Sequence, residues 1–236
     1  MLQNSFSRPP NRKKNMKFRM SVTAAAATLL LGTAVPASAQ LGGLSLPGLS
    51  KSSSGAKVDV DAYLKNALTA EVLLRNSLEQ LVASLGSKED IARIEALKQQ
   101  AAGITDSKEK EAKTQEITKS LAAAASTVDF EKAANEKVKA MDAQQKKTLG
   151  AASFNFVLAM LKDKELVGQS QSVIDGIGSN PANLGKLGAV KDTAASLKNQ
   201  LELGSALAVK VPKLFATVGV KNPPTKASDA PVSVAD

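Results

Sequence analysis

Apolar residues recur at intervals of three and four through most of this chain, the spacing that gathers side chains on one face of an α-helix. The first stripe runs through Val60, Leu64, Ala67, Leu68, Leu74, Leu78, Leu81, Val82 and Leu85. It predicts a helix over about 61–85, stopped by Gly86 in the left-handed conformation favoured after a helix end. Ser87 with Asp90 three residues on forms an approximate capping box and opens a second helix. Ile91, Ile94, Leu97 and Ala101 share its apolar face, and Gly103 ends it. Asp106 and Glu109 repeat the device for a third helix carrying Ile117, Leu121, Ala124 and Val128. The stripe then changes phase: Phe130, Ala134, Val138 and Met141 fall on a different line, which places a break near Ser126 and Thr127.

Asp142 and Gln145 open the next helix. Its apolar residues, from Leu149 through Leu161, go nearly all the way round a helical wheel, the mark of a buried central helix. Leu166, Val173, Ile174 and Ile177 continue it or follow a bend, up to a turn at Gly178-Ser179-Asn180-Pro181. A last long helix carries Leu184, Leu187, Val190, Ala194, Leu197 and Leu201 and loses phase at Gly204. The segment through Val209 and Leu214 is interrupted by Pro212, which lacks a backbone donor. No sustained period-two alternation competes. The predicted fold is all-α: one bundle of about six to eight antiparallel helices over 58–220, since short connections make successive helices neighbours. A Gly/Ser/Leu-rich linker over 40–57 precedes it, and the Pro-rich tail over 221–236 reads as disordered.

The N-terminal segment has a different pattern. Residues 1–39 contain six basic residues and no Asp or Glu. A basic stretch (Arg8, Arg12, Lys13, Lys14, Lys17, Arg19) is followed by an apolar one over 24–35 and by Pro36-Ala37-Ser38-Ala39. That order reads as a secretory signal, with Ala37 and Ala39 at the small-x-small positions and Gln40 as the first mature residue. The apolar run is shorter than the roughly 20 residues that a spanning helix needs. No Cys follows the small residues and no twin-Arg pair precedes the run, so the signal is Sec-type and not that of a lipoprotein. The expected location is the periplasm or the medium. Met16 opens a shorter and more ordinary signal than Met1 does.

Cleavage changes the charge argument. The whole chain is +9, from 31 basic and 22 acidic residues; with six basic residues gone, 25 face 22 and the net is +3. Only Arg75 and Arg93 remain as Arg, and aromatic stacking platforms are missing, so nucleic acid is not an expected partner. With no Cys, stability must come from packing without disulfides. With neither Cys nor His, the usual zinc and copper ligands and the commonest general base are missing. No phosphate loop or nucleophile elbow appears, and Glu109, Glu111 and Glu116 alternate with Lys108, Lys110 and Lys113 as on a solvated helix face. The reading is therefore a non-enzymatic protein without cofactor or metal.

Two features stand out. Glu71 and Arg75, four apart within the apolar stripe of the first helix, form either an ion pair at its edge or a buried pair that fixes a register or meets a partner. Phe154, Phe156 and Met160 either pack the core or line a site for an apolar ligand. The expected role is a protein-protein interaction in the bacterial cell envelope: an adaptor, chaperone-like or structural component whose partner is another envelope protein or itself. The alternative is a carrier of an apolar ligand or lipid between helices.

Overall fold

The computed structural model describes residues 59–233. The signal segment with Ala37, Ala39 and Gln40, and the linker over 40–57, lie outside the described residues. The chain is all-α, with no strand among the described residues. Among the described residues seven α-helices follow in order: α1 Val60–Leu85, α2 Lys88–Ala102, α3 Ser107–Ser126, α4 Phe130–Ala133, α5 Ala143–Gly178, α6 Leu187–Lys210 and α7 Phe215–Val218. A wide π turn, Ala134–Val138, follows α4. Tight 3-10 turns at Pro181–Lys186 and Val211–Leu214 lead into α6 and α7.

The first five helices start on side chains that replace the missing backbone acceptors. Asp59, Ser87, Asp106, Asp129 and Asp142 each accept a hydrogen bond from an amide two or three residues on. Such a cap is worth about 1 kcal/mol. Only Asp142 completes the reciprocal box: Oδ1 accepts from Gln145 N at 2.7 Å and Gln145 Oε1 accepts from Asp142 N at 3.0 Å. The phase change near Ser126 and Thr127 is a true helix end, with Thr127 as its cap.

Helix α5 is the axis. It runs unbroken for 36 residues, with α1 and α6 against two of its sides and α7 and the C-terminal segment on another. That enclosure is why its apolar residues go all the way round. Two apolar clusters fill the bundle. The larger joins Leu73–Leu85 of α1 to α3, α4, the α7 region and the first half of α5, with Phe156 and Leu158 fully buried. The smaller joins Val60, Tyr63, Ala67 and Ala70 to Leu166, Val173 and Ile177 of α5 and to Val190 and Leu197 of α6. Tyr63 donates its hydroxyl to Ser170 Oγ at 3.2 Å there.

Several local readings are corrected. Leu68 is 62% exposed. The buried face of α1 is turned toward Tyr63, Ala70, Leu73 and Ser77, because α5 and α6 enclose it from that side. Gly86 is extended (φ −64°, ψ 171°), not left-handed. A Cβ there would lie 2.6 Å from the Val82 carbonyl oxygen, so close approach and not handedness calls for glycine. The left-handed glycine is Gly219, at φ 79°, after α7. Helix α6 does not end at Gly204 but runs on to Lys210; a Cβ at Gly204 would fall 2.3 Å from Met160 Sδ, so the missing side chain is space that Met160 fills. The tail is not a free end as far as residue 233. It is extended and turned, but fastened along α5, with Pro224 and Ala227 buried.

Candidate functional site

The two apolar clusters are separated by a polar layer across the middle of the bundle. On α1 the division falls between Ala70 and Leu73, on α5 between Met160 and Leu166, and on α6 after Leu197. Glu71, Asp163 and Gln200 occupy those gaps. Asp163 is fully buried, and neither carboxylate oxygen has a hydrogen-bond partner among the described residues. Burial pushes its pKa up to about 8, and the Glu71 carboxylate adds to the rise. At neutral pH Asp163 is therefore a neutral acid, the form in which a carboxyl tolerates an apolar interior. Gln200 donates Nε2 to Ser196 Oγ at 3.3 Å, while its buried Oε1 has no partner among the described residues.

The candidate pair Glu71 and Arg75 borders this layer. Their charged atoms are 3.9 Å apart and each side chain is 27% exposed, so the pair sits at the edge of the stripe and not within the core. Burial raises the Glu71 pKa; Arg75 pulls it down and Glu111 pushes it up. Glu71 also walls a small cleft with Thr118 and Lys119 of α3 and Asn199, Gln200 and Leu203 of α6. The enclosed part has room for about two water molecules. Replacing Arg75 by Ala is expected to lower the unfolding free energy by about 1 kcal/mol or less, as for a partly exposed pair. A loss of about 3 kcal/mol or more in urea denaturation would mean that the pair acts as a buried one.

Phe154, Phe156 and Met160 are not equivalent. Phe156 is fully buried in the larger cluster, Met160 is 8% exposed against Gly204, and Phe154 is only partly buried. The first two serve as core; all three belong to or pack against one closed cluster.

The sequence reading missed a second face of α5. Asn155 and Lys162 are seven apart, two helical turns, and so share a face. They are 5% and 3% exposed. Asn155 Nδ2 donates to the Val232 carbonyl at 2.8 Å, and its Oδ1 accepts from the Val232 amide at 2.9 Å. One side chain thus pairs both main-chain groups of one residue, as a neighbouring β-strand would. Lys162 Nζ donates to the Ala227 carbonyl and, at 3.5 Å, to that of Asp229. Burial pulls the Lys162 pKa down, opposed by Glu165 and Asp229. Asp229 Oδ2 accepts from the amides of Thr225 and Lys226 at 2.8 and 3.0 Å, which folds the tail into a turn and holds its carboxyl below the usual range. Part of the signal was present in the sequence: Asn155 lies inside an apolar helical run, but Lys162, two turns on, opens the charged stretch Lys162-Asp163-Lys164-Glu165 and does not stand out.

What this face does chemically is grip main chain. No helix among the described residues is long and apolar enough to cross a membrane. No family model matches the chain, and no curated protein or solved structure matches it either.

Proposed function

We propose that this is an exported, non-enzymatic helical protein of the bacterial cell envelope that works by binding another protein. The observation that carries the reading is the Asn155–Lys162 face of α5, which holds the C-terminal tail through its backbone, a turn at Lys162 and an extended stretch at Asn155. Recognition of main chain by fixed side-chain donors and acceptors is a mode of protein-protein contact. Export rests on the order of basic, apolar and small residues before Gln40.

Native mass spectrometry of the protein purified from its own host tests both parts. The expected species begins at Gln40 and carries a polypeptide partner. A chain retaining Met1 or Met16 would contradict export. A lipid-sized adduct in place of a polypeptide would favour a carrier.

A further inference from the structure

We infer that the Asn155–Lys162 face of α5 is a docking site for a short segment of a partner protein, a turn followed by extended chain, and that the chain's own C-terminal tail occupies it in the free molecule. This rests on the protein-binding role proposed above. The contacts themselves describe the occupant. Asn155 and Lys162 touch only carbonyl and amide groups of the tail, which every residue but proline supplies in full. Side-chain selection acts at Pro224 and Ala227, the two tail positions that are buried. The face therefore takes a segment with proline and a small residue three positions apart, the small residue in a turn at Lys162, followed by extended backbone free to pair with Asn155.

The tail is built to leave. It departs from the bundle at Gly219, whose φ is 79°, and passes through exposed Lys221, Asn222 and Pro223. Its far end depends on the one Asn155 pairing, and Val232 is 43% exposed. A segment so attached opens at far less than the cost of global unfolding. Lys162, meanwhile, is buried with two main-chain carbonyls as its acceptors. An occupant that brings a carboxylate to Nζ gains a charge-assisted hydrogen bond that the tail does not provide, because Asp229 turns its own back to Thr225 and Lys226. The partner segment is accordingly small, proline-containing and acidic.

The probe is a fluorescent peptide of residues 222–233, added to the full chain and to its Ala227→Lys variant. Lys does not fit the buried Ala227 position, so the variant releases its own tail. The variant is expected to bind the peptide at least about tenfold more tightly than the wild-type chain does, since the tethered tail competes at an effective concentration of about millimolar. Adding Asn155→Ala or Lys162→Ala should return binding to the wild-type level. A second route avoids any folding defect: a protease site placed after Lys221 is cut once the wild-type chain has folded, and the free tail is removed by gel filtration. Peptide that fails to rebind the cut chain overturns the proposal. So does a partner, found by native mass, that the peptide does not displace; the protein-binding role would then stand and the site would fall. Tail exchange between two copies, seen as a dimer that the peptide dissociates, would reassign the occupant to a second copy and overturn the partner assignment.

Discussion

Replacing Asp163 by Asn is expected to stabilise the protein by about 4 kcal/mol at pH 7 and by less than about 1 kcal/mol at pH 4. The folded carboxyl titrates near 8, whereas an unfolded Asp titrates near 3.8. Between those values the native state keeps a proton that the unfolded state releases. Unfolding is therefore favoured as pH rises, at about 1.4 kcal/mol per pH unit, until the effect levels off above about pH 8. The contribution is fully present below about pH 4 and is lost as pH climbs through the folded pKa. Asn has nearly the same shape and never ionises, so its stability lacks this slope, while all other groups titrate alike in both chains. Urea unfolding at four pH values between 4.5 and 8.5 measures the difference. Parallel curves for the two proteins would show that Asp163 is ionised or solvated in the native bundle.

Phe156→Ala is expected to cost about 3–5 kcal/mol, the usual loss for a large aromatic in a core that cannot fully collapse. Phe156 is fully enclosed by the larger apolar cluster, on the helix against which α1, α6 and α7 pack. Phe154→Ala, at a partly buried position two residues away, should cost clearly less. The comparison separates packing from ligand lining: a Phe facing a ligand space leaves no new void when shortened. Equal losses of about 1 kcal/mol or less from both changes would revive the ligand-lining reading.

The longer helices were legible because each carries a stripe of one period, and three of them a recognisable start signal as well. Ser87, Asp106 and Asp142 are caps in fact, and Asp59 and Asp129 are caps that the sequence reading did not name. The all-round apolar pattern from Leu149 onward correctly marks the central helix. What failed was whatever depends on a neighbour. Leu68 fits the α1 stripe by spacing, but the orientation of α1 is set by α5 and α6. Gly204 reads as a loss of phase until Met160 is seen to fill its space. The tail has the composition of disorder, and the side chains whose hydrogen bonds hold it, Asn155 and Lys162, lie some 70 residues earlier. For the same reason one link of Glu71 could not be read: it pairs with Arg75 four residues on, as the spacing predicts, and it also raises the pKa of the buried Asp163 on another helix.

The reading of this protein as a binder of extended chain stands on the grip of Asn155 on Val232, and amide hydrogen exchange at that one residue measures it. In the full-length protein the Val232 amide should exchange at least about tenfold more slowly than in the free 222–233 peptide, with protection lost in Asn155→Ala. Exchange at the peptide's rate in the intact chain would mean that the tail is not held, and that α5 offers no such face.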